Sequence, residues 1–198
     1  MKTLSHASRF ATAVCALAVA TLLLAGCIVT SIYPFYTAKD LTFDPALIGV
    51  WTDADDTNQD AETWTFEKIA EQTYKLTTRD SSETNEFDAH LFTLGKAQFL
   101  DCLPRSRQPY STPSHVLIRV ESIQPRLEMY LLDYEWLGKL VQEKSKTIRH
   151  IIVPNETGGS QEDSLLVLTA DTAELQKFIH KHLKTDDAWK SLEAMKKR

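Results

Sequence analysis

Apolar residues in the middle of this chain recur at every second position, in at least four separate runs. Trp64 and Phe66 alternate with Thr63, Thr65 and Glu67, and Tyr74 and Leu76 with Thr73, Lys75 and Thr77. Val116, Ile118 and Val120 alternate with Leu117, Arg119 and Glu121, and Leu127, Met129 and Leu131 with Glu128 and Tyr130. Successive side chains of a strand point to opposite faces. The period therefore predicts half-buried strands with one wet face, the signature of an antiparallel meander. Gly95-Lys96 reads as a tight hairpin turn with Gly at its first central position, and Gln124-Pro125 as another turn. The more continuously apolar runs 148–153 and 165–169, joined by the loop 155–160, bring the expected count to eight or nine strands.

Helical spacing interrupts and follows this pattern. Asp133 is placed to cap a helix carrying Trp136, Leu137, Leu140 and Val141. This corner reads either as a lip over a barrel mouth or, preferably, as a capped helix that seals a barrel. Asp171, with Glu174 three residues on, forms a capping-box pattern ahead of Leu175, Phe178, Ile179 and His182. Thr185 with Asp186 and Asp187 predicts a last helix, whose C-terminal dipole would suit Lys196, Lys197 and Arg198.

Eight or more short strands in one small domain must close or sandwich to remove exposed edges. The run Asp44-Pro-Ala-Leu-Ile-Gly-Val-Trp51 resembles the start of a lipocalin-type barrel, where a turn leads into Gly-x-Trp on the first strand. That resemblance implies that Trp51, with Gly49, plugs the closed end against an arginine from a late strand, for which Arg149 is the candidate. The expected fold is mainly β: a meander closing into a lipocalin-like β-barrel over 44–170, with a short inserted helix and C-terminal helices over 171–198 packed on it.

The first 26 residues read as a signal peptide. Lys2 and Arg9 precede an apolar run from Phe10 to Leu24, too short and wrongly flanked for an ordinary membrane span. Leu24-Ala25-Gly26-Cys27 resembles the lipobox of bacterial lipoproteins. The resemblance implies cleavage before Cys27, a diacylglyceryl thioether on its sulfur and an acyl group, such as palmitate, on the new N-terminus. Two or three buried acyl chains, at about 0.8 kcal/mol per methylene, make such an anchor effectively permanent. Ile28 rather than Asp follows the cysteine, which by the same resemblance implies the outer membrane, facing the periplasm. Residues 27–43 then form a lipidated N-terminus and tether, and Tyr33, Phe35 and Tyr36 are expected to dock on the domain, because Gly/Ser linker composition is absent. Tyr33–Thr37, Asp40–Trp51, Leu132–Leu137 and Leu168–Gln176 resemble segments of an uncharacterised bacterial lipoprotein family, from which no activity carries over.

Formal net charge is −5, and loss of residues 1–26 moves it to −7. A mildly acidic chain without a basic patch argues against nucleic acid and against electrostatic binding to anionic lipid. Of three cysteines, Cys15 leaves with the signal and Cys27 is the lipid site, so Cys102 is expected as a packed thiol. Asp56, Asn58, Asp60 and Glu67 superficially match a calcium loop, but Ala61 stands where Gly is required. His180 and His182 point in different directions on a helix, while His90, His115 and His150 stand alone on strands. No nucleophile elbow, zinc-protease, P-loop or dinucleotide motif is present. The reading is therefore non-enzymatic, without cofactor or metal: a membrane-anchored barrel that binds a small apolar ligand, lined by Trp64, Phe66, Tyr74, Leu76, Ile118 and Met129. The alternative is a filled barrel that serves as a structural or interaction module for an envelope protein.

Overall fold

The computed structural model describes residues 28–55, 62–105, 113–144, 147–153 and 165–198. Among the described residues, twelve strands make one mixed sheet. They are β1 (Thr30–Ser31), β2 (Gly49–Asp53), β3 (Thr63–Ala70), β4 (Thr73–Arg79), β5 (Thr84–Leu94) and β6 (Ala97–Pro104). After these come β7 (His115–Ser122), β8 (Glu128–Leu132), β9 (His150–Val153), β10 (Leu165–Leu168), β11 (Trp189–Ser191) and β12 (Met195–Lys197). From β2 to β8 each strand pairs antiparallel with the next, as the alternation requires. Gly95, at φ +65°, makes the expected hairpin between β5 and β6.

The expected closure is corrected: this sheet is not closed into a barrel. One edge of β7 serves two partners. His115 and Val116 pair with β1, whereas Ile118 onward pairs with β8, so the sheet forks there. One arm continues through β1 and β10 to β9, and the other through β8 to β11. At the opposite side β12 pairs with β2. The two sides touch at an isolated bridge between Leu127 and Met195, whose N–H groups donate to each other's carbonyls at 2.8 and 3.0 Å.

A second correction concerns the C-terminus. Thr185, Asp186 and Asp187 predict a last helix ending at Lys196–Arg198, yet only a single 3-10 turn, Asp186–Ala188, precedes two strands. Helix propensity contributes a few tenths of a kcal/mol per residue. Leaving the edges of β8 and β2 bare would leave rows of unpaired backbone groups, and β11 and β12 cover them.

Period two divides the interior into two cores. On one face, Leu47, Trp51, Phe66, Tyr74, Leu100 and Met129 are buried together. On the other, Phe92, Phe99 and Leu117 meet Leu137, Leu175 and Phe178 from helices α1 (Tyr134–Glu143) and α2 (Thr172–His182). The expected wet face is thus dry where helices cover it, and Leu117 is only 2% exposed. Asp133 caps α1 by accepting the Trp136 N–H at 2.7 Å. Asp171 caps α2 by accepting the Glu174 N–H at 3.0 Å, while the Glu174 carboxylate turns away to Arg149. Residues 34–40 dock rather than dangle, whereas Tyr33, expected to dock with Phe35 and Tyr36, stays 46% exposed. Phe35 is buried, and Thr172 and Gln176 of α2 donate to the carbonyls of Pro34 and Phe35 at 2.8 and 3.0 Å.

Candidate functional site

The first core is filled around Trp51 and hollow beside Trp64. Near Trp51, Asp44 caps the turn Pro45–Leu47 by accepting the Ala46 N–H at 2.9 Å. The chain then enters β2 through Gly49, at φ +134°, a conformation that side chains rarely adopt. Trp51 is fully buried and its indole N–H donates to the Leu47 carbonyl at 2.8 Å. A cation does stand over its ring, but it is Lys197, 5.4 Å from the centroid, rather than Arg149. Arg149 instead forks onto Asp171 and Glu174, both at 2.8 Å. Lys197 also donates to the Ala46 carbonyl, tying the last strand to the turn before β2.

All six residues expected to line a cavity fall in this core, but only three line the hollow. Trp64, Leu76 and Ile118 form part of its wall. Phe66, Tyr74 and Met129 are filling. Tyr74 is completely buried with Phe43 stacked on it at 4.8 Å, and its hydroxyl donates to the Asp44 carbonyl at 3.0 Å. Burial is the main reason its phenol is pushed up. Phe66 meets Tyr74 edge-on at 6.3 Å, and Met129 is 1% exposed.

The rest of the wall comes from Thr78 of β4, Phe87 of β5, Cys102 of β6 and Val116 of β7. Leu131 of β8, Leu192 and Ile28 complete it. Val116 and Leu131 already lie on the apolar side of the alternation. Leu192 sits in the segment that reads as helix, and Ile28 directly after Cys27, so neither carries a signal of its own. The hollow opens to solvent on one side. The space open to the centre of a water molecule is about 40 Å³, within a total empty volume of about 530 Å³ that continues into solvent. The lining presents only apolar atoms and includes no acid and no histidine. Trp64 donates its indole N–H to Glu62 at 2.8 Å beside the wall, and burial raises that carboxyl. Burial and the Asp101 charge push the Cys102 thiol far up, as a packed thiol requires.

One polar cluster escapes sequence reading because its members lie on separate strands. Asp101 is completely buried on the face opposite Cys102. Its carboxylate accepts the Phe35 N–H at 2.8 Å and the His115 Nδ1–H at 2.6 Å. Tyr36 packs on His90 at 4.9 Å, and burial, then the charges of Asp101 and Asp88, push its phenol up to about 12. Burial lowers His90, whose Nε2 lies 3.3 Å from the Thr73 hydroxyl. Both Asp101 oxygens are occupied and His115 is 8% exposed, so this pair holds residues 33–36 on the sheet. Asp133–Leu137 likewise packs into the second core, with Trp136 6.2 Å from Phe178, rather than over the hollow.

Cys27 and the acidic cluster Asp56, Asn58 and Asp60 lie outside the described residues. Among the described residues no group of three or more His, Cys, Asp or Glu is arranged to hold a metal, and no helix is long and apolar enough to cross a membrane. No protein-family model, curated protein or solved structure matches the chain.

Proposed function

We propose that this chain is a lipoprotein of the cell envelope, held by acyl chains on Cys27 at the periplasmic face of the outer membrane, and that it holds a slender apolar group in the hollow beside Trp64. The observation that carries this reading is a wholly apolar wall that stays open to solvent. Water gains no hydrogen bonds from such a wall, and each methylene that replaces it contributes about 0.8 kcal/mol. A water centre needs about 10–15 Å³, so about 40 Å³ holds about three or four groups of that size, a short aliphatic segment rather than a fused ring system. The lipocalin-like reading belongs with this proposal. Ladders from β12 through β2 to β8 support a barrel-like wall that is interrupted between β8 and β12, where only the Leu127–Met195 bridge stands.

A second reading, a filled non-enzymatic module that binds an envelope protein, is favoured by the packing of Phe66, Tyr74 and Met129. Titration of residues 28–198 with a fluorescent polyene fatty acid separates the two. Saturable binding that Val116→Phe abolishes supports the ligand-holding hollow. Absence of uptake by the unsubstituted protein overturns it in favour of the filled module.

A further inference from the structure

The arm of the sheet beyond the fork leaves apolar side chains in water. Ile151, Ile152 and Val153 of β9 are 50, 48 and 40% exposed, and Leu165 of β10 is 43% exposed. The register sorts these side chains by face. Leu166 and Leu168 point into the second core, so Leu165 and Val167 point the other way, together with their partners Val153 and Ile151. β10 runs parallel to β1 with Thr30 opposite Val167, and Ile28, two residues before Thr30, shares that face and lines the hollow. The apolar wall therefore continues through Ile28 onto an aliphatic strip made by Leu165, Val153 and Ile151. Among the described residues, β9 ends that arm with no strand on its outer edge. Soluble domains normally blunt such an edge with charge, and β9 and β10 carry no acid or Lys in a chain of net charge −5.

The residue before Ile28 is Cys27, and one residue spans at most about 3.6 Å. We propose that the β9–β10 strip docks on the same bilayer that receives the Cys27 acyl chains, so that the hollow opens toward lipid. This rests on the reading of Cys27 as the lipid-bearing residue. The strip suits a bilayer because it is aliphatic, free of acid and adjacent to the anchor. It also supplies a continuous apolar path by which an acyl chain reaches the hollow without crossing water.

The test uses the mature acylated protein in vesicles of phosphatidylethanolamine and phosphatidylglycerol, with intact mass reporting the acyl groups. A nitroxide is attached at Val153→Cys and, as a control, at Ser82→Cys on the exposed β4–β5 turn; native Cys102 is buried. Accessibility to oxygen relative to a water-soluble nickel chelate should rise several-fold at position 153, compared with the same label on residues 28–198 in buffer, and stay unchanged at 82. Acylated protein whose label at 153 remains as open to nickel as that at 82 overturns the docking proposal alone. Protection of 153 from both reagents, with crosslinked pairs, assigns the strip to a second copy and also overturns it. A mass without acyl groups overturns the anchor reading instead, and removes the bilayer as the occupant.

Discussion

Met129 and Leu131 sit two residues apart on β8, on the same face, and the account assigns them different surroundings. Met129 is 1% exposed within the filled part of the core, whereas Leu131 is half-buried on the wall of the hollow. The same substitution at both positions tests that difference. Met129→Glu removes apolar burial that contributes about 2 kcal/mol. It also places a carboxyl where no partner waits. A fully buried carboxyl is raised by about three units, and at 1.36 kcal/mol per unit this costs about 4 kcal/mol at pH 7. The total, about 6 kcal/mol, is comparable to the whole stability of a typical domain. The ionic part has a defined pH dependence. The folded-state carboxyl lies above its unfolded value near 4.3, so the unfolded chain is favoured as pH rises from there, and acidification toward pH 4 recovers that part. Leu131→Glu can turn its head group to the open side and should lose only about 1–2 kcal/mol, with little pH dependence. Urea denaturation of both variants at pH 7 and pH 4.5 measures this. Equal losses, or a Met129→Glu protein as stable as the unsubstituted one, would refute the division into filled and hollow ends.

Three further outcomes follow from the geometry. Asp101→Ala should cost about 3–5 kcal/mol by stranding the buried Phe35 N–H and His115, with amide exchange of residues 33–40 rising beyond the global effect, while Asp101→Asn retains one acceptor and loses less. Gly49→Ala should cost about 1–3 kcal/mol, since a Cβ there faces φ +134° and Lys197 Cε at 2.6 Å, and thermal unfolding will show whether Lys197→Ala relieves only the steric share. Cys102 should resist a thiol reagent at pH 8 in the folded protein and react fully in urea, because burial raises its thiol and withholds the thiolate; rapid reaction in buffer would contradict its packed position.

Local physics was readable wherever one residue carries the signal. The alternation around Trp64, Leu76, Ile118 and Met129 assigned a common face because strand geometry leaves a side chain two choices, and Asp133 and Asp171 announced helix starts through their own hydrogen bonds. What stayed hidden depends on partners distant in sequence. The cap pattern Thr185-Asp186-Asp187 announces a helix until the bare edges of β8 and β2 are known. Leu117 looks wet until α1 and α2 cover it. Asp101 carries no local signal, because Phe35, 66 residues away, donates to it. Arg149 was the expected partner of Trp51, but the register places Lys197 there instead. Within the predicted lining, alternation alone cannot separate side chains that fill a core from those that border a hollow. That depends on how neighbouring strands and loops pack around each position.

Native mass spectrometry of residues 28–198, secreted without Cys27, decides whether the hollow holds a ligand. A ligand-holding hollow gives a discrete extra mass that solvent extraction removes and that a fatty acid or phospholipid restores. A clean unliganded mass, with no uptake of either lipid, would contradict it.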